Sequence, residues 1–525
     1  MTTTQRSLVH IGIDGGSFKV LDAFAERGLM PEYAALRAAG GRAVLRSTTP
    51  WFTVPAWITW MTGVKAERHG LIYWTATAAR DVWSRPGSKD GFVALTDVPY
   101  PTVFRVLSNA GVRVASLNMP VTFPPLALNG VMVSGFLSPT DLDRVAFPPG
   151  FLERYPGYRV DLAQGPDGGP IPTRTDSEVA GYATEMARMA EARHRVFLDL
   201  LSDRFGLASI VYVGSDRLSH VAWPQLAAIL TRPGVSEGER AVENYYRILD
   251  RLIGETRRAA SDSLLLITSD HGQGPAPPRC FAPNVWLRKR GWLARRAETT
   301  RRVSHLIARP SLRAKLWKSY RKGRNLPQGS MPFIDWKRTV AYGVVMSHCR
   351  VIGVAVRGDR PLQEQIAHEL LAISDPETGS PPVRDVMFAS DICDEHGLST
   401  YPELIAVLNE NYGCVGSLDG PVIGPAAMTA SGYHEPDGIV MALGEGVTTG
   451  SHPVSDISDI TPTILTFFGI APPELMDGGA IPWIVGGSRR LLPVPTDAEP
   501  TREDALTGGE EEEIAGHLRD LGYVD

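Results

Sequence analysis

LVHIGIDGG, residues 8–16, sets an apolar, β-branched run directly before an aspartate and two glycines. Such a run reads as a buried strand opening into a tight turn, and in α/β proteins turns of this kind carry ligands. The turn leaves Asp14 more than one use. Its glycines can cradle phosphate through backbone N–H groups, or its carboxylate can hold a metal ion.

Comparable runs recur along the chain with helical patterns between them: VRVASLN (112–118), SIVYVGSD (209–216), SLLLITSDHG (263–272) and ELIAVLN (403–409). Strands alternating with helices predict an α/β fold, a mostly parallel central sheet with helices on both faces. In such sheets the ligand lies beyond the C-terminal strand ends. Three of these runs end in acid, at Asp14, Asp216 and Asp270.

Composition narrows the class. The 525 residues can bury a large core, and 43% hydrophobic with 21% charged residues is ordinary for a globular protein. A formal charge of -5 speaks against a nucleic-acid polymer as partner and leaves a small molecule as the expected one. Cys280, Cys349, Cys393 and Cys414 are scattered without C-x-x-C spacing, which argues against a disulfide framework or a cysteine zinc site. The opening residues lack the long apolar core of a signal peptide, and no uncharged run reaches the roughly 18 residues of a membrane span. A cytoplasmic setting with reduced thiols is the expectation.

Two segments break the pattern. Residues 286–325 carry fourteen Lys or Arg against one Glu, with apolar positions near helical spacing on either side of Pro310. They read as a basic helical insertion whose bland use is a solvated face; attracting an anionic substrate, or membrane contact with anionic lipid, are the sharper ones. The tail from 498 is polar and acidic and ends in a short amphipathic turn with Ile514, Leu518 and Leu521.

Candidate metal ligands gather at the strand ends. SDRLSH offers Asp216 and His220, SDHG offers Asp270 and His271, and SGYHEPDGIV offers His434 in a glycine-flanked loop. With Asp14 they make six carboxylate and imidazole ligands, enough for two divalent ions, and the mixture suits Zn2+, with Mn2+ or Fe as alternatives. Between the first two groups lies STTPWFTVPAWITWMTG (47–63), where Thr53 precedes a helix that Pro55 helps to open. A hydroxyl there sees the positive end of the helix dipole, a natural phosphate site. Locally, Thr53 reads equally as an N-cap.

The ordered set IDGG, T-x-PAW-x-x-x-x-TG-x-x-x-x-x-HG, D-x-x-x-H, SDHG and G-x-H-x-x-x-G resembles the alkaline phosphatase superfamily in its type I phosphodiesterase and nucleotide pyrophosphatase branch. STTP-x-x-T-x-PAW and DITPTILTFFGI (459–470), with DWKRTVAY (335–342) and NVWLRKRGWL (284–293), make it similar to a bacterial group described as phosphohydrolases or phosphomutases. The resemblance spans roughly residues 8–480. It implies one alkaline-phosphatase-like domain over 1–490, with insertions near 135–205 and 275–335 and an acidic tail over 491–525. It also implies that Asp14, Asp270 and His271, together with the Thr53 hydroxyl, hold one metal ion, and Asp216, His220 and His434 a second. Thr53 is then the nucleophile of a two-metal phosphohydrolase acting on a small phosphorylated substrate through a phosphothreonine intermediate. A threonine hydroxyl needs such activation, since no histidine is placed in sequence to act as its base.

Departures limit the transfer. Sulfatases of the same fold carry a modified Cys or Ser in C/S-x-P-x-R, and TVPAW (53–57) does not fit. Nucleotide pyrophosphatases carry a phosphate-binding Asn soon after the HG element, where this chain reads LIYWTATAAR (71–80). Asn118 is a candidate substitute, or a turn residue. His69, His452 and Asp459 are read as packing or supporting residues. The alternatives are a phosphomutase or phosphomonoesterase of the same superfamily, an actin-like sugar kinase, which explains IGIDGG but neither TSDHG nor GYHEPDG, and a non-catalytic metal-binding protein.

Overall fold

LVHIGI forms the strand Leu8–Ile13, buried at all six positions, in the interior of a ten-stranded sheet. The computed structural model describes residues 6–75, 91–162, 175–295, 334–346, 348–426, 430–486 and 506–520. Five neighbouring strands run parallel: Leu264–Thr268, Leu8–Ile13, Leu207–Tyr212, Val114–Met119 and Gly130–Ser134. The first four are buried along their whole length, as near-continuous apolar runs require when both faces are covered.

Beside Leu264–Thr268 lies one antiparallel strand, Asp437–Leu443, and beyond it Gly41–Arg46, which runs antiparallel to that strand and so with the block. GRAVLR alternates buried and half-exposed residues, so it lacks the continuous apolar signature of its neighbours. ELIAVLN does not join this sheet. Its strand Leu404–Leu408 pairs antiparallel with Val351–Val356 and Val383–Phe388 in a separate four-stranded sheet, because a short apolar run signals burial without saying in which sheet.

The helices form two layers. One contains Pro31–Ala39, Asp176–Ser202, Gly214–Ile229 and Glu237–Ala259; the other contains Thr53–Thr62, Val103–Asn109 and Ile460–Phe468. Both long helices open on capping boxes, Thr175 with Glu178 and Ser236 with Glu239, which satisfy the first free N–H groups reciprocally. Thr53–Thr62 is buried at every residue, so it lies wedged between sheet and neighbours. Gly12 lets it approach: a Cβ there would stand 2.8 Å from Trp57 Cη2 and 2.8 Å from Val211 Cγ2.

Between Gly272 and Glu435 the chain leaves the central sheet. It builds the four-stranded sheet, a three-stranded one (Tyr412–Cys414, Arg279–Phe281, Ile423–Pro425) and the ribbon of Gly272–Pro275 with Gly432–Glu435. This outer unit has its own apolar core around Leu287, Ile352, Leu404 and Ala406. It rests on the main body through Trp51, Ile72, Met346, Tyr401 and Ile405. Residues 296–325 of the basic segment lie outside the described residues. The helix Gly508–Asp520 buries Ile514 and Leu518 in the main core and pairs Glu510 with Arg144; Leu521 lies outside the described residues. Among the described residues no helix is long and apolar enough to cross a membrane.

Candidate metal centre

The parallel register sets Ile13 opposite Tyr212 and Gly12 opposite Thr268, so the three acid-bearing strand ends share one edge of the sheet. Asp14 leaves its strand with its N–H donating to Tyr212 O at 3.0 Å. Gly15 then turns with φ +65°, its N–H donating to Asp270 Oδ1 at 3.1 Å, and a side chain there would press on Asp216 at 3.2 Å. Asp216 lies in the first turn of Gly214–Ile229, and His220 follows one turn later on the same face. His434 arrives on the Gly432–Glu435 strand.

These side chains converge. His220 Nε2 is 3.1 Å from Asp216 Oδ1 and 2.9 Å from His434 Nε2, and His434 Nε2 is 3.2 Å from Asp216 Oδ1. On the other side, His271 Nε2 is 3.2 Å from Asp270 Oδ2 and 3.9 Å from Asp14 Oδ1. The rings of His271 and His434 stack at 3.9 Å between centroids, which joins the two halves. Ligand atoms of Asp14, Asp270 and His271 lie within 4.8 Å of one another, as do those of Asp216, His271 and His434. His271 therefore stands in reach of both groups, where the sequence placed it in one.

The donor set fits cations. His220 Nδ1 meets Gly432 O at 3.0 Å and His271 Nδ1 meets Gly272 O at 2.9 Å. A carbonyl can only accept, so each δ nitrogen carries the proton and each ε lone pair faces the cluster. Asp14 Oδ1, Asp270 Oδ2 and His271 Nε2 are buried without a hydrogen bond among the described residues. Three carboxylates at most 3% exposed would be costly as unbalanced charges. Burial, then Asp270 and Asp216, push Asp14 well above the usual carboxylate range, and burial followed by Asp216 does the same to Asp270. For Asp216 burial acts upward too, but His220 and His434 together outweigh it and hold it low. Burial also drives His434 down to about 3, leaving it neutral. Divalent cations would take the place of the protons that this cluster otherwise needs.

Thr53 is 2% exposed and is the first residue of its helix; Phe52 occupies the N-cap position and no side-chain capping bond forms. It is bracketed by two tryptophans. Trp51 Nε1 donates to His434 O at 3.2 Å, and Trp57 Nε1, one helical turn beyond Thr53, donates to Asp14 Oδ2 at 3.4 Å. These bonds tie the residues on either side of Thr53 to His434 and Asp14.

Asn118 is bonded to a neighbouring segment. It has φ +60°, its Oδ1 accepts from Tyr158 OH, and its Nδ2 donates to Val160 O at 3.4 Å, bonds that tie down the 158–160 segment. His69 is buried and bonded locally, with Nε2 3.2 Å from Thr59 Oγ1 and Nδ1 accepting from Leu71 N–H at 3.1 Å. His452 meets Thr448 O at 2.8 Å, and Asp459 accepts from Gly479 and Asp456 N–H groups.

One neighbour escaped the sequence. His348 sits on the turn between Ala341–Val345 and Val351–Val356 with φ +57°, its ring 4.4 Å from that of His220. Its carbonyl accepts from His434 N–H at 2.8 Å, and Arg350 Nη1 grips Glu435 at 2.9 Å, so the outer sheet fixes the histidine strand from above. MSHCR (346–350) offers no spacing signal, since the left-handed turn that aims it arises from the hairpin.

Comparison with known proteins bears on the family and the fold. The sequence profile of the type I phosphodiesterase / nucleotide pyrophosphatase family matches residues 8–414. No curated protein sequence matches significantly. Among solved structures, murine ectonucleotide pyrophosphatase / phosphodiesterase 5, solved as an inactive variant with AMP, superimposes with a TM-score of 0.52 at 12% identity, covering 91% of this chain and 98% of that one. The human protein of the same name gives 0.50 at 12% identity, with the same 91% and 98% coverage. Phosphonoacetate hydrolase from Sinorhizobium meliloti, in complex with phosphonoacetate, gives 0.49 at 15% identity over 87% of this chain and 94% of that one. The likeness to the two ectonucleotide structures is one of fold, and with the profile match over most of its length, this chain belongs to the type I phosphodiesterase / nucleotide pyrophosphatase family, metal-dependent hydrolases of phosphoric ester or anhydride bonds.

Proposed function

We propose that this protein is a two-metal phosphohydrolase of the phosphodiesterase or nucleotide-pyrophosphatase type, working through a phosphothreonine on Thr53. The reading is supported by two groups of buried carboxylates and imidazoles, to which the tryptophans on either side of Thr53 hydrogen-bond through His434 and Asp14. Asp14, Asp270 and His271 would hold one ion and Asp216, His220 and His434 the other, Zn2+ suiting this donor set best and Mn2+ next. When bound, such ions lower the pKa of coordinated hydroxyls and offset charge on phosphoryl oxygens.

The chain's own residues do the rest. Thr53 Oγ1 forms a bond to phosphorus while the bond to the leaving oxygen breaks, and the proton that Thr53 gives up to solvent is matched by one that the leaving oxygen takes from it. The N–H groups of Thr53 and Val54, in a helix turn that offers them no acceptor, face the phosphoryl oxygens. Water then attacks phosphorus from the opposite side, the bond to Thr53 breaks, and the threonine regains a proton. Two inversions give net retention. Burial of the whole cluster also favours a second reading, a phosphomutase, because a site closed to water can return the phosphoryl group to a bound product. Four free cysteines are in keeping with a cytoplasmic setting.

The test is metal analysis followed by assays on a p-nitrophenyl monoester, a bis-p-nitrophenyl diester and a phenylphosphonate ester, with Thr53→Ala as comparison. The diester is the expected preference, with near-complete loss in the variant. Full activity in Thr53→Ala would refute the covalent route, and phosphoryl transfer without release of phosphate would select the mutase.

A further inference from the structure

The C-terminal helix Gly508–Asp520 lies across the segment that follows the strand Gly130–Ser134. Glu510 pairs with Arg144, Glu513 accepts from the Thr140 N–H at 3.1 Å, and Ile514 and Leu518 enter the main core. His517 shares their face of the helix, three residues after Ile514. Its ring meets Phe136 edge-on at 6.0 Å between centroids, and its Nε2 is 3.5 Å from Asp161 Oδ2.

The same carboxylate oxygen accepts from Arg217 Nη2 at 2.9 Å, and the Arg217 guanidinium lies over the same Phe136 ring at 4.4 Å. Arg217 and His517 thus close on one acid and one ring from elements far apart in the chain. Neither side chain of the Arg217 and Asp161 pair is more than 5% exposed, and a buried charge that loses its partner is strongly destabilising. Burial pushes the Asp161 carboxyl up, but Arg217, followed by His517, outweighs it and holds the carboxyl below the usual range. The segment before Asp161 is itself pinned: Tyr158 OH donates to Asn118, and the Val160 carbonyl accepts from Asn118 and Arg193.

Arg217 follows Asp216 in the first turn of Gly214–Ile229, a turn without a side-chain cap at Val213. Side-chain bonds on either side of Asp216 hold it: Ser215 Oγ donates to Asp14 O, and Arg217 donates to Asp161. We propose that Asp161 and His517 are positioning residues for the Asp216, His220 and His434 site. Through them the C-terminal helix fixes Arg217, and with it the turn that presents Asp216 and, four residues on, His220. The inference rests on the two-metal reading, and its readout is metal affinity rather than turnover.

The test titrates the metal-free full chain with Zn2+ against a competing fluorescent chelator, beside urea unfolding without metal. Wild type is expected to take up two ions. His517→Phe keeps a ring against Phe136 and removes the nitrogen; it should weaken one ion roughly tenfold, as outer partners of metal ligands do, with the urea midpoint unchanged. His517→Gln, which keeps a donor toward Asp161, should recover most of that affinity. Asp161→Asn should weaken the same ion, and in an Asp216→Asn background His517→Phe should have no further effect. Wild-type affinity for both ions in His517→Phe, or equal weakening of the two, overturns the proposal alone. Fewer than two ions on wild type would overturn the two-metal reading with it. Two ions on a chain that hydrolyses none of the esters would sink the hydrolase reading and leave this result standing.

Discussion

Gly12→Ala isolates the contact on which the position of Thr53, the proposed nucleophile, depends. Gly12 lies inside a strand, in extended backbone that does not itself require glycine, and its hydrogen is all that separates the backbone of Leu8–Ile13 from Trp57. The added methyl carbon would stand 2.8 Å from both Trp57 Cη2 and Val211 Cγ2, against about 3.5–4.0 Å for relaxed carbon contacts. Something must give by roughly 1 Å, and both neighbours are locked, Trp57 in a fully buried helix and Val211 in the adjoining strand. Overpacking of this kind costs about 1–3 kcal/mol. If the helix yields, Thr53 moves against Asp14, and a 1 Å misplacement of a reacting group lowers rate about 100-fold. The assays are the urea midpoint and diester hydrolysis, on Gly12→Ala alone and combined with Trp57→Phe, which removes the atom of closest approach on the helix. Stability is expected to fall in the single variant and to recover in part in the double one. Wild-type stability and rate in Gly12→Ala, or strict additivity of the two changes, would refute the view that this glycine seats the nucleophile helix.

His348→Ala should lower kcat/KM about 10–100-fold while metal content stays unchanged, because the ring lines the cluster and the backbone carbonyl that holds His434 remains; an unaltered rate, read beside metal analysis, would count against that role. Chelation should lower thermal stability, and added Zn2+ should restore it, by about 4 kcal/mol at a free metal concentration near 1,000 Kd; a chelator-indifferent melting curve would exclude a tightly held ion. His10 and His69 are each held at about 3 by burial, against an ordinary 6.5. Their folded values lie below their unfolded ones, so the stability they contribute is complete above about pH 6.5 and is lost as pH falls toward 3. The stability–pH profile should slope accordingly, and His10→Gln should flatten it. Removing the helix Gly508–Asp520 should cost about 3–6 kcal/mol from the exposed partners of Ile514 and Leu518; an unchanged melting temperature would show the helix to be dispensable.

Much of the centre was legible because its chemistry is written at strand ends. An apolar run that stops at an acid says both that the strand is buried and that a charged group waits at its C-terminal edge, which is why Asp14, Asp216 and Asp270 could be grouped before any fold was known. Asp216 and His220 are four residues apart, and helix geometry alone puts them on one face. The capping boxes at Thr175 and Ser236 likewise act within a single turn.

What the sequence could not reach is whatever depends on two segments meeting at a distance. ELIAVLN is as apolar as the central strands, and only long-range pairing assigned it to the outer sheet. GRAVLR hid because half its residues are spared from burial, which breaks the continuous apolar run. His271 serves both halves of the cluster because its ring stacks on His434, 163 positions along the chain, and His348 reaches His220 because a hairpin in another sheet turns left-handed there. By itself, then, the sequence determined which residues carry charge and which local element presents them, since those follow from interactions within a few residues. Tertiary structure alone decided which of them touch, because those distances are set by packing between parts of the chain that no local rule connects.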